Sequence, residues 1–241
     1  MKIKFIGRKE FLNKLKKQVD TDEMSFSLIY GRRRVGKSEL VKETLRCANE
    51  KSIYFECKQV AEESNVASLS AIVSDVMGLP ILGYTDIESL LDYIFKLAVN
   101  EKLILVLDEY PYLRESVKGL DSILQSLVDR YRESSKLKVI ILGSYVEIMR
   151  SLLEHSNPLY GRVDLTIDLK QMDYYESALF YPEFSPEDKV RIYSVFGGIP
   201  YYNRLIDDKK SVRDNMIELI ASSEARLENE VSMYLSAETS K

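Results

Sequence analysis

The sequence of 241 residues holds a single histidine, His155, and two cysteines, Cys47 and Cys57. One histidine removes histidine-rich metal sites and argues against a Ser/His hydrolase, because imidazole is the usual metal ligand and general base near neutral pH. His155 itself reads as a surface residue at a helix end. Two cysteines give no disulfide framework, and both read as buried free thiols. No uncharged apolar window reaches about eighteen residues, so no membrane-spanning helix is expected. The start Met1-Lys2-Ile3-Lys4-Phe5-Ile6-Gly7 has no apolar core of the kind a secretory signal needs. A cytoplasmic location and no membrane partner are expected. Excess charge is missing too: the formal net charge of −4 sets up no overall field for nucleic acid or anionic lipid. The local run of Lys2, Lys4, Arg8, Lys9, Lys14, Lys16 and Lys17 reads as the solvated face of a helix. There are no internal repeats and no low-complexity segments. With 45% apolar and 30% charged residues the composition is that of a globular protein, long enough for a large domain plus a small second one.

What is present is concentrated near residue 30. The apolar run Phe26-Ser27-Leu28-Ile29-Tyr30 is followed by Gly31-Arg32-Arg33-Arg34-Val35-Gly36-Lys37-Ser38 and then by a helical pattern. Strand, glycine loop, helix, spelled G-x-x-x-x-G-K-S, is the P-loop signature. The glycines let the backbone curl so that successive N–H groups point inward at phosphate oxygens. The helix that starts near Lys37 adds the positive end of its dipole. Gly31, Arg34, Val35, Gly36, Lys37, Ser38 and Glu39 are the candidate nucleotide-binding residues of this loop. Lys37 reaches the β- and γ-phosphates and Ser38 places its hydroxyl on Mg²⁺. Arg32, Arg33 and Arg34 otherwise read as charges on the loop surface.

Helical spacing of Phe11, Leu12, Leu15 and Val19 predicts an N-terminal amphipathic helix. Strands are expected at 26–30, 52–56, 103–107 and 139–142, with a last one from Val163 to Leu169. Leu103-Ile104-Leu105-Val106-Leu107 and Val139-Ile140-Ile141-Leu142 carry no polar residue, as in a parallel strand covered on both faces. The last strand alternates polar and apolar residues and belongs at an edge. Helices are expected at 64–77, 86–98, 120–132 and 145–153. Strands and helices alternating in this way predict an α/β fold, a parallel sheet sandwiched by helices. After residue 170 the strand pattern stops. Asp173 and Ser185-Pro186 read as helix starts, Gly197-Gly198 as a helix end, and the tail to Lys241 as helical. The domains expected are 1–170, a nucleotide-binding domain, and 171–241, a small all-α domain.

Asp108-Glu109 follows the apolar strand 103–107, as in a Walker B segment. Carboxylates at the C-terminal end of a parallel strand face the crevice where open α/β sheets bind ligands. Asp108 is the candidate metal ligand together with Ser38, and Glu109 the candidate general base. Ser144, which ends the next apolar strand, is placed to contact the γ-phosphate or the attacking water, or else merely caps the helix that follows. No Asn-Lys-x-Asp string reads guanine, which favours ATP over GTP. The protein-kinase strings H-R-D and D-F-G are missing, so water is the expected nucleophile.

Five strings occur in order: Ile6-Gly7-Arg8-Lys9-Glu10, the loop 31–38, Leu107-Asp108-Glu109-Tyr110-Pro111, Pro158-Leu159-Tyr160-Gly161-Arg162, and Gly197-Gly198-Ile199-Pro200. The series resembles an archaeal/bacterial P-loop ATPase family of the AAA+/STAND-related class and, more distantly, origin-recognition initiators. The resemblance implies an AAA+-like core followed by a helical lid, with ATP and Mg²⁺ as ligands. It implies that Ile6, Gly7 and Arg8 pack near adenine and that Pro200 touches the base from the lid. It also implies that Arg162 acts as an arginine finger or sensor arginine, in cis or in trans, a role that contributes about 10³–10⁵ in rate. Members of this kind usually continue into a winged-helix segment and a nuclease-like region, whereas this sequence ends at Ser236-Ala237-Glu238-Thr239-Ser240-Lys241. The functions expected are slow, Mg-dependent ATP hydrolysis as a conformational switch, a nucleotide-held interaction module with little turnover, or a DNA-associated ATPase. DNA would be contacted only through a region outside this sequence. Self-association or a protein partner is also expected.

Overall fold

The computed structural model describes residues 5–81, 83–228 and Glu230. The part of the expected helical tail from residue 231 to Lys241 lies outside the described residues. The chain divides into two compact units, one of residues 8–170 and one joining the segment up to Gly7 with the residues from Gln171 onward. Residues 5–7 therefore group with the second unit and not with the sheet that follows them.

The first unit runs α1 (Lys9–Asp20), β1 (Ser25–Tyr30), α2 (Lys37–Cys47), β2 (Lys51–Glu56), α3 (Glu62–Met77), α4 (Ile87–Asn100), β3 (Leu103–Asp108), α5 (Tyr110–Ser116), α6 (Leu120–Tyr131), β4 (Lys138–Gly143), α7 (Val146–Ser151) and β5 (Leu165–Asp168). The five strands form one parallel sheet in the order β2-β3-β4-β1-β5. The three central strands β1, β3 and β4 are buried at every position. Pleating divides their side chains between two faces. Phe26, Leu28, Ile53, Phe55, Leu105, Leu107, Val139 and Ile141 pack with Leu69, Leu91, Phe95, Leu124 and Met149 from α3, α4, α6 and α7. The alternate residues Ile29, Ile104, Val106, Ile140, Leu142 and Ile167 are equally buried on the other face. The edge position of β5 follows from its exposed Thr166 and half-buried Leu165 and Asp168. It is shorter than the alternation 163–169 implies, although Asp164 and Leu169 each add a backbone bond to β1 at 2.8 and 2.7 Å.

Two features depart from the sequence reading. The short helix α5 directly after Asp108-Glu109 was not expected from periodicity, because seven residues span only two turns. Pro111 in its first turn is the local signal for it. Cys47 is exposed at the end of α2, and of the two only Cys57 is buried.

The second unit holds α8 (Tyr174–Ser177), α9 (Pro186–Phe196), α10 (Pro200–Asn203) and α11 (Val212–Met216), with no strand among its described residues. Its core is built from Tyr181, Phe184, Ile192, Phe196, Ile206 and Leu227. Asp173 caps α8 by accepting from the Glu176 N–H at 2.8 Å, and Ser185 caps α9 by accepting from the Asp188 N–H at 3.2 Å. Gly197 (φ 63°) ends α9. The following Gly198 is required for contact: its carbonyl accepts the Met172 N–H at 2.7 Å, and a Cβ there would lie 1.7 Å from the Met172 carbonyl oxygen. Gly198→Ala is expected to lower the melting temperature and to destabilise the fold by about 1–3 kcal/mol or more, since backbone cannot yield as a side chain does. Thermal unfolding followed by circular dichroism checks this.

Candidate nucleotide site

The sheet order decides which side chains meet. β4 lies between β3 and β1, so the residue after β4 stands between the carboxylates after β3 and the glycine loop after β1. That residue is Ser144. Lys37, buried at the start of α2, donates from Nζ to the Gly31 carbonyl (2.8 Å), the Arg32 carbonyl (3.0 Å) and Ser144 Oγ (3.1 Å). Ser144 in turn donates to Glu109 through its hydroxyl (2.6 Å to Oε1) and its N–H (3.2 Å to Oε2). One hydroxyl thus links the loop lysine to the candidate base. Burial pushes the Lys37 ammonium below its ordinary range; the carboxylates of Glu109 and Asp108 oppose this, and Arg33 adds to it.

The loop needs its glycines. Gly31 has φ 153°, and a Cβ there would sit 2.2 Å from the Leu169 carbonyl oxygen. Gly36 caps α2 at φ 95°, turning the chain so that the first N–H groups of the helix are left without a side-chain cap. A helix start of this kind, with its N–H groups and dipole, suits an anion. Four non-glycine residues have positive φ among the described residues: Arg8, Arg34, Glu109 and Glu224. Left-handed backbone costs a non-glycine residue of order 1 kcal/mol or more and clusters at functional sites. Three of the four are residues that the sequence had already singled out.

Asp108 is buried at the end of β3. Its Oδ1 accepts the Glu109 N–H at 2.9 Å, and its Oδ2 accepts a hydrogen bond from the Tyr54 hydroxyl. Burial and the Asp108 carboxylate push the Tyr54 phenol well above its ordinary range, so it is a fixed donor; the Ser38 hydroxyl approaches the same oxygen and works weakly the other way. Ser38 and Asp108 offer hard oxygen donors, which suit Mg²⁺. Among the described residues no group of three or more His, Cys, Asp or Glu side chains forms a metal cage. A cation here would therefore rely on the substrate's own phosphates for much of its shell.

Tyr54 escaped the sequence reading. Its signal was its place near the C-terminal end of β2, the strand beside β3, on the ligand-binding edge of a parallel sheet.

The remaining candidate residues are placed by their contacts, Val35 and Glu39 within the loop and its helix and the others in segments outside it. Arg162 makes a bidentate pair with Asp129 on α6 (2.8 Å from both Nε and Nη2) and donates to the carbonyls of Pro158 and Tyr160. It precedes β5, near Asp164, whose carboxylate accepts the Phe26 N–H at the start of β1. This is the N-terminal end of the strands, whereas the glycine loop follows the C-terminal end of β1. Arg162 and the loop thus stand at opposite ends of the sheet; its motif had implied a role in cis or in trans. Arg8 is buried, donates to the Lys170 carbonyl and lies 5.7 Å from the Phe11 ring centroid. Gly7, in the second unit, rests against Met172 and Glu176. Pro200 is buried and opens α10. Glu39 lies in the first turn of α2 and Val35 is buried in the loop. His155 is exposed and its ring stacks 4.0 Å from that of Tyr160. A groove of about 840 Å³ opens beside α5 and α7, lined by Tyr112, Arg114, Asp121, Tyr145 and Asn157 among others. No residue of the glycine loop lines it, so this groove is distinct from the loop.

A five-stranded parallel sheet with a glycine loop after its β1 strand and acidic residues after the β3 strand defines a P-loop ATPase fold. Residues 5–206 match the family described as an ATPase domain predominantly from Archaea, and the chain belongs to that family. An uncharacterized protein of Methanocaldococcus jannaschii is 31% identical over 201 residues, covering 82% of this chain and 43% of the relative. The chain thus spans less than half the length of that relative. Among solved structures, the Walker-type ATPase of Pyrococcus abyssi superposes with a TM-score of 0.70 at 18% identity, over 97% of this chain and 75% of that one. The Aeropyrum pernix ORC2 protein in ADPNP-ADP complexes gives 0.59 at 16% identity over 95% and 64%. Drosophila ORC bound to DNA gives 0.61 at 15% identity over 99% and 69%. At these identities the structures share the fold. No helix among the described residues is long and apolar enough to cross a membrane.

Proposed function

We propose that this chain binds ATP with Mg²⁺ at the loop 31–38 and hydrolyses it slowly, as a conformational switch. The observation that carries the reading is the chain of bonds from Lys37 through Ser144 to Glu109. It brings a phosphate-binding cation and a candidate base to one edge of the sheet. In this reading the N–H groups of Gly31 to Ser38 and the N-terminus of α2 hold the phosphates. Lys37 leaves the loop carbonyls for phosphate oxygens. Ser38 and Asp108 hold Mg²⁺, whose charge offsets that of the phosphates when it is bound. Glu109 takes a proton from water. Slowness follows from Ser144, which ties both oxygens of Glu109 and must release one of them before Glu109 serves as base.

Ile6, Gly7, Arg8 and Pro200 are the proposed adenine contacts on motif resemblance alone, and residues 171–241 the proposed lid. Self-association, a protein partner and DNA contact through a further region rest equally on resemblance. The family and the Aeropyrum pernix neighbour, solved with ADPNP and ADP, support the choice of an adenine nucleotide.

Mg-ATP at a hundred times its dissociation constant is expected to stabilise the chain by about 2.7 kcal/mol, and Mg-GTP at the same concentration by less. Thermal unfolding with each nucleotide reads this directly. Equal shifts would remove the adenine preference, and no shift at all would remove the nucleotide.

A further inference from the structure

Tyr54 carries an inference that rests on the cation site proposed above. The phenol donates to Asp108 Oδ2, while the other oxygen of that carboxylate is already engaged by the Glu109 N–H at 2.9 Å. Both oxygens of the proposed metal ligand are thus occupied by protein donors. Lys42 Nζ lies 5.3 Å from the ring centroid and so borders the tyrosine from α2, the helix that also carries Ser38. Neighbouring strands align Tyr54 with Val106 and Glu56 with Asp108, so the tyrosine reaches diagonally across β2 and β3 to the carboxylate.

We propose that Tyr54 is a positioning residue that competes with the divalent cation for Asp108. A hydrogen bond from a neutral donor to a buried carboxylate is charge-assisted and about twice as strong as a neutral one. Asp108 must give up this bond, or share the oxygen that accepts it, before it can receive a cation or the cation's water. Tyr54 therefore raises the cation concentration needed for nucleotide binding and leaves cation-free nucleotide binding untouched. The alternative role is that of a brace, in which the phenol orients Asp108 for the cation. The two roles differ in sign.

The experiment is binding of a fluorescent ATP analogue across a MgCl₂ titration, with a matched series in EDTA, for the wild type and Tyr54→Phe. Competition predicts a half-saturating Mg²⁺ concentration about tenfold lower in Tyr54→Phe, with affinity in EDTA changed less than twofold. An unchanged or higher half-saturating concentration overturns the proposal, and a higher one identifies the brace. Wild-type binding that ignores Mg²⁺ also overturns it while leaving nucleotide binding intact. No binding by the wild type at any Mg²⁺ concentration overturns the functional reading as well. Tyr54→Met, with no hydroxyl and a smaller side chain, should shift the Mg²⁺ dependence in the same direction. Mn²⁺ binding in the presence of ADP, followed by electron paramagnetic resonance, gives the same comparison without turnover.

Discussion

Glu109→Gln is expected to leave ATP affinity within about threefold of the wild type and to lower the rate of phosphate release by about 10²–10⁴, the usual contribution of a positioned general base. The substitution is nearly isosteric. A glutamine carbonyl still accepts from Ser144, whose hydroxyl and N–H now bond the two carboxylate oxygens at 2.6 and 3.2 Å. The left-handed backbone at Glu109 (φ 52°) is set by the entry into α5 and is unaffected by side-chain charge. Basicity is lost, together with one of the two acceptors for Ser144 and the favourable charge beside Lys37. Single-turnover phosphate release measured beside equilibrium ATP binding separates the two. If release persists at the wild-type rate, the base lies elsewhere. If affinity collapses with it, Glu109 acts through the lysine.

Lys37→Met should weaken ATP by about a hundredfold or more, or about 2.7 kcal/mol. The ammonium is held inside the curl of the loop, with Gly31 and Arg32 carbonyls and Ser144 as its partners. Burial already disfavours its charge, so a polyanionic ligand offers it a stronger partner than the carbonyls do. Methionine keeps the length and the apolar stem. Isothermal titration with Mg-ATP reads the loss, and retention of wild-type affinity would place the nucleotide away from this loop.

Much of the sheet was legible because fully buried parallel strands have no polar residue to hide them, as in Leu103–Leu107 and Val139–Leu142. Glycine spacing then located the loop, and the acidic pair located the opposite wall. Legibility failed where long-range geometry decides. Arg162 belonged to a recognisable string, yet its partner Asp129 lies on another helix, and sequence spacing does not say which end of the sheet they share. Ser144 had two readings, a contact within the site or a cap for the next helix; its bonds to Lys37 and Glu109 place it between the loop and the acidic pair, while Tyr145, not Ser144, precedes α7. Tyr54 was invisible because β2 was read for its pattern and not for what its end faces. Cys47 misled because both free thiols were expected to be buried, whereas it ends α2 at the surface.

Hydrolysis is the central claim, and one measurement meets it directly: wild-type protein in excess over γ-labelled ATP and Mg²⁺, sampled over minutes to hours. Turnover at this site predicts labelled phosphate accumulating to the full amount of bound ATP, and release slowed by about 10²–10⁴ in Glu109→Gln under the same conditions. ATP that stays bound and intact over hours would contradict it, leaving the chain a nucleotide-held interaction module.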